Sequence, residues 1–130
     1  MPLPWHRPPL TMNSRASKIE EWRLANIIKD GVTLVLKNTI PRGIYPITAE
    51  LVWYPGNNKV ADSDNIATTL KHAIDALVRK GVLPDDSPRY VVRTSQRVVP
   101  RDLDPHNRTV PALFLVVNTC TYEDMPHYTV

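Results

Sequence analysis

Residues Ile47 to Tyr54 alternate strictly. Ile47, Ala49, Leu51 and Trp53 fall on one side, and Thr48, Glu50, Val52 and Tyr54 on the other. Period-two patterning with β-branched and aromatic residues predicts a strand. A second pattern follows from about Asp64 to Lys80. At about 100° per residue, Ile66, Leu70, Ala73, Ile74 and Leu77 gather in roughly a third of the circumference. That predicts an amphipathic helix whose apolar face packs on the sheet, with Gly81 at its C-terminal end. Ahead of the strand, Ile19, Trp22, Ala25 and Ile28 recur every third residue. They predict a helix over about Ala16 to Lys29, capped by Asn13 or Ser14, with a slowly drifting apolar face. Gly31 ends it, or it runs on into Leu34-Val35-Leu36; the pattern leaves both open. Residues 38–46 read as a loop. Arg89 to Val99 and Val110 to Thr121 read as two further strands, and the first ten residues leave room for a short one. The expected order is helix, strand, helix, strand, strand. This is a small α/β or α+β domain, a mixed sheet with helices on one face.

Composition narrows the picture. At 130 residues the chain predicts one domain over 1–130, with a loose tail over about 122–130. Sixteen Lys and Arg against 13 Asp and Glu exclude a polycation but allow a local basic surface. Thirteen prolines and four glycines mean that turns rest mostly on Pro, Asn and Asp. Cys120 is the single cysteine, so no intrachain disulfide forms and a reducing, cytoplasmic compartment is expected. The run Val110 to Val117 is far short of the roughly 18 residues a membrane helix needs. The first residues lack the pattern of a secretory signal. The sequon Asn107-Arg108-Thr109 reads as chance in such a compartment.

Three features carry candidate chemistry. Asp62 and Asp64 stand two apart, so in extended chain both carboxylates project to one side. Such a pair suits a hard divalent cation, whereas the ordinary reading is that Asp64 caps the helix. Lys71 shares a helical stripe with Asp64, two turns on, and its amine can reach back; the ordinary reading is a solvated lysine paired with Asp75. Asp85-Asp86 either make a turn or contribute one more carboxylate, which tertiary folding must bring back.

Taken in order, these features resemble a known signature. The strings Asp62-Ser63-Asp64-Asn65, Leu70-Lys71-His72-Ala73-Ile74-Asp75-Ala76-Leu77 and Gly81-Val82-Leu83-Pro84-Asp85-Asp86-Ser87 look like that of the RusA family of Holliday junction resolvases. Leu3-Pro4-Trp5, Pro8-Pro9-Leu10 and Asn13-Ser14-Arg15 are similar to that family's opening. The resemblance touches about residues 3–15 and 45–98. It implies a homodimeric, Mg²⁺-dependent endodeoxyribonuclease, with Mn²⁺ as an alternative metal. Such an enzyme resolves four-way DNA junctions by paired nicks in recombination and repair. It also implies a bacterial or phage origin.

By the same resemblance Asp62, Asp64 and Asp86 match the metal-binding acids and Lys71 the catalytic lysine. Five residues separate Asn65 from Lys71, more than in the best-known bacterial member, which leaves Thr68 as a rival for the lysine's place. The run before the acids, Gly56 to Ala61, is also less arginine-rich than in that member.

Arg89, Arg93, Arg97 and Arg101 recur every fourth residue and would share one strand face, a row that could touch successive phosphates. A solvated face or a charge-blunted edge reads equally well. Arg15 and Lys59 are further candidates for DNA contact. The four histidines show no metal spacing, and His72 reads as a surface residue. Trp5, Trp22 and Trp53 read as core anchors. The alternatives to a junction resolvase are a catalytically silent nucleic-acid-binding protein of the same fold, and a metal nuclease acting on forks or flaps.

Overall fold

A computed structural model describes residues 1–9, 18–36, 43–58 and 66–121. The expected order of elements is found. Helix α1 spans Lys18–Leu36, strand β1 Ile47–Tyr54, helix α2 Ala67–Arg79, strand β2 Val91–Val98 and strand β3 Ala112–Thr119. A single 3₁₀ turn, Arg101–Leu103, lies between β2 and β3. The expected tail over 122–130 and the cap at Asn13 or Ser14 lie outside the described residues.

The sheet order is β2-β1-β3, with β2 parallel and β3 antiparallel to β1. The sheet is therefore mixed. β1 is the central strand, with Ile47, Ala49 and Leu51 buried on one face and Val52 buried on the other. The register aligns Leu51 with Gln96 and Leu115, and Trp53 with Val98 and Leu113. Leu51, Leu113 and Leu115 then share one core with Ile28, Val32 and Leu36 of α1 and Leu70, Ala73, Ile74 and Leu77 of α2. Each fully buried Leu or Ile in such a core contributes about 1.5–3 kcal/mol relative to exposure. Glu50, Val52, Arg97 and Phe114 belong to the opposite face of the sheet by the same register.

α2 ends as its sequence predicts. Gly81 takes φ 75°, its N–H donates to Val78 O at 3.0 Å, and the Val82 N–H donates to Leu77 O at 3.0 Å. This pair of bonds satisfies carbonyls that the helix end would otherwise orphan.

α1 resolves the open question at Gly31, because the helix runs through it to Leu36. The reason is packing. A Cβ at Gly31 would lie 2.5 Å from Trp5 Cζ2, so the indole needs a glycine beneath it. The buried side of α1 is Ala25, Ile28, Val32 and Leu36. This corrects the expected face. Ile19 and Trp22 are 81% and 71% exposed, so Trp22 is no core anchor. Trp5 and Trp53 do pack against the core, and Trp53 Nε1 donates to His6 O at 3.0 Å.

The N-terminal segment covers the outer edge of β3. Leu3 N donates to Leu113 O at 2.9 Å, and Leu115 N donates to Met1 O at 2.9 Å. The Met1 amine returns to Leu115 O at 3.0 Å. This is the short strand that the sequence left room for, reduced to a bridge at Pro2 and Phe114.

The loop after the 3₁₀ turn is tied at Asp104. Its carboxylate accepts hydrogen bonds from His106 N at 2.9 Å, Arg108 N at 3.1 Å and Arg108 Nη1 at 2.7 Å. Burial pushes this carboxyl up, but the three donors and the adjacent guanidinium outweigh it and hold it below its ordinary range. The Arg108 guanidinium also lies 4.2 Å from the Tyr54 ring centroid, a cation–π contact.

Candidate functional site

One flank of α2 and strand β2 enclose a groove of about 380 Å³. This is within the usual size range of a small-ligand site. Ala67, Leu70, Lys71 and Ile74 line it from the helix, and Val91 to Thr94 and Gln96 line it from the strand. Asp86 and Pro88 close it from the loop between them. Lys71 and Asp86 thus meet at one surface, although they are fifteen positions apart in the chain.

Helix phase explains why Lys71 reaches this groove. Leu70, Ala73, Ile74 and Leu77 turn inward and are buried, which leaves Lys71 exposed beside them. Thr68, the rival for the lysine's place, does not line the groove. The expected ordinary partner of Lys71 is also engaged elsewhere. Asp75 Oδ2 lies 3.9 Å from Lys29 Nζ and 3.6 Å from His72 Nδ1, both on the side of α2 that meets α1. Among the described residues no carboxylate forms an ion pair with Lys71.

His72 is less exposed than the sequence suggests, with its side chain 18% accessible. Its Nδ1 is buried and has no hydrogen-bond partner among the described residues. Burial first, then the charge of Lys29, lower its pKa from the usual histidine value; Asp75 opposes them and Lys71 adds to the lowering. The neutral ring is therefore favoured in the fold.

The two adjacent aspartates divide their tasks. Asp85 Oδ1 accepts the Ser87 backbone N–H at 2.7 Å, closing a turn over its own loop. The hydrogen bonds from Ser87 hold the Asp85 carboxyl below its ordinary range. Asp86 is left to face the groove. One carboxylate of the pair makes the turn and the other is presented by it.

The arginine row is broken. β2 begins at Val91, so Arg89 falls in the turn before it, and Arg101 falls in the 3₁₀ turn after Pro100. Arg93 and Arg97 remain on the strand, both exposed. The register aligns them with Thr48 and Val52, on the face away from the helices. Arg97 lies 3.6 Å from Glu50, whose other carboxylate oxygen accepts the Ser95 hydroxyl at 2.8 Å. Arg93 lines the groove at the strand's edge.

Asp62, Asp64, Arg15 and Lys59 lie outside the described residues. The described part of the groove therefore offers one carboxylate, Asp86, and its oxygen donors suit a hard cation such as Mg²⁺ as one ligand among several. No group of three or more His, Cys, Asp or Glu that could hold a metal comes together among the described residues. No helix among them is long and apolar enough to cross a membrane. Sequence reasoning did not foresee Thr94 and Gln96 as groove residues. Their only signal is the alternation of β2, which puts them on the helix side with Ala49 and Leu51. No protein-family model matches the chain, and no curated protein matches it.

Proposed function

We propose that the protein is a Mg²⁺-dependent endodeoxyribonuclease that resolves four-way DNA junctions, with the groove between α2 and β2 as its active site. One observation carries the reading: of the three acids and one lysine matched by the RusA-like signature, the two that are described, Lys71 and Asp86, line the same groove. Chain connectivity adds support. Asp64 precedes the buried Ile66 by two residues, and Ala67, the next residue, lines the groove.

In this reading Asp62, Asp64 and Asp86 hold Mg²⁺, which when bound neutralises charge on the scissile phosphate and lowers the pKa of an attacking water. Lys71 contributes a fixed positive charge to the developing negative charge of the transition state. The unpaired state of its amine among described residues suits that role. Arg93 and Arg97 contact phosphates as the DNA passes over the edge of β2, with Arg89, Arg15 and Lys59 as flanking contacts. A four-way junction has near two-fold symmetry, so a C2 homodimer offers one groove to each of the two strands cut.

The test uses the full chain with Mg²⁺ and labelled four-way, forked and linear DNA. Symmetric paired nicks in the four-way substrate alone are expected. Asp86→Asn should lower that rate by about 10²-fold or more, with the fold unchanged by circular dichroism. Wild-type rates in Asp86→Asn protein would overturn the assignment. Equal cutting of forks would redirect it to a fork or flap nuclease. Junction binding without cleavage in Mg²⁺ or Mn²⁺ would redirect it to a silent binder.

A further inference from the structure

α1 carries two apolar rows, and the core uses only one. Ala25, Ile28, Val32 and Leu36 face inward. At about 100° per residue, Ile19, Arg23, Ile27, Asp30 and Leu34 fall within roughly 80° on the opposite side. Of these, Ile19 is 81% and Leu34 is 74% exposed, and Ile27 is exposed too. Trp22, also exposed, flanks the row. The spacing of four, four, three and four residues keeps Ile19, Ile27 and Leu34 on one face with Arg23 and Asp30 set between them.

The row is its own complement when reversed. A two-fold axis between Asn26 and Ile27 sets Ile19 against the partner's Leu34 and Arg23 against the partner's Asp30, with Ile27 near the partner's Ile27 at the centre. The parallel arrangement would instead set like charge against like charge at both positions, which is unfavourable. Neither charge is buried: among the described residues Arg23 makes one ion pair, at 3.9 Å to Glu20, and Asp30, though paired with Arg79 at 2.8 Å, keeps 74% of its side chain accessible.

We infer that the outer row of α1 is the contact of an antiparallel homodimer, with a second copy of this chain as its occupant. The inference deepens the paired-site reading by naming the surface that joins the two sites, and it can be tested without DNA or metal. A helix of 19 residues is about 28 Å long and about 10 Å across, so its face covers roughly 300 Å², well under the roughly 800 Å² per partner of a standard interface. Such a dimer is a weak, reversible one.

Sedimentation of the full chain across a concentration series, free of DNA and metal, is the test. The wild type should pass from monomer to dimer over the micromolar range. Arg23→Glu should weaken the dimer by about tenfold or more, because it faces the partner's Asp30. The double variant Arg23→Glu with Asp30→Arg should recover most of that loss. Leu34→Ser should weaken the dimer without changing the circular dichroism or thermal midpoint of the monomer. A monomer at every concentration would overturn the inference, as would a dimer indifferent to Arg23→Glu and Leu34→Ser. Binding of this face to anionic vesicles with no self-association would overturn it in favour of a lipid surface. A monomeric protein that still nicks junctions in Mg²⁺ would sink the interface alone. A dimer without nuclease activity would sink the active site alone.

Discussion

The two helices of this protein spend their apolar residues differently. α2 has one apolar face, one polar face and one use for each: the first packs on the sheet and the second holds Lys71 at the groove. α1 has apolar rows on opposite sides, so its pattern fits more than one burial face. An element with a single row declares its inner side from sequence alone. An element with two rows declares it only once the rest of the molecule has chosen.

The sharpest way to break this comparison is to cut into the inner rows of both helices. Ile28→Ala and Leu77→Ala each remove a fully buried side chain, and each should cost about 2–5 kcal/mol in urea unfolding. Equal, small losses at both positions would mean that the rows are misassigned. Next in size is Lys71→Ala on the outer side of α2. It should lower junction cleavage by about 10²-fold while leaving the urea midpoint within about 0.5 kcal/mol of wild type. A loss of stability instead would make Lys71 a packing residue.

Gly31→Ala tests the helix against its lid. Alanine favours a helix interior by about 1 kcal/mol over glycine, but overpacking costs about 1–3 kcal/mol and the new Cβ would lie 2.5 Å from Trp5. The expected net result is a destabilisation of about 1 kcal/mol, reversed in sign if Trp5 is first replaced by Ala.

The smallest expected effect lies where the helices touch. The pKa of His72 is lowered in the fold from its usual 6.5. Between that lowered value and about 6.5 the unfolded chain binds a proton that the folded chain does not. Stability is therefore full above about pH 6.5 and falls as pH drops through that window, then levels off below it. Urea midpoints from pH 7 downward should show this slope in the wild type, and a shallower one in His72→Gln.

Much of the fold was legible because local rules agreed with each other. The alternation over Ile47–Tyr54 matches β1 residue for residue, and Gly81 marks the end of α2 by its left-handed conformation. β2 and β3 came out two residues shorter at their starts than expected: Pro88 and the turn through Tyr90 delay β2, and Pro111 delays β3. The inner face of α1 was misread because a step of three residues drifts by about 60° each time, carrying the row from the outer side at Ile19 to the inner side at Ile28. Lys71 lines the groove and Thr68 does not, a difference that the spacing after Asn65 left open. The four-arginine row failed because regular spacing in sequence outlived the strand itself. What no local rule could supply is the meeting of Asp86 with Lys71 at one groove, which is decided by how the chain returns from α2 into β2.

The pairing of the first residues with β3 has its own consequence for the order of events in folding. Met1 and Leu115 are 114 positions apart, so their mutual bonds close the longest loop among the contacts described here. A contact that distant carries the largest closure cost of these, so it is expected to form after the sheet that receives it. Trp5 belongs to the same stretch and lies over Gly31, so docking of this one segment covers both the margin of β3 and a flank of α1.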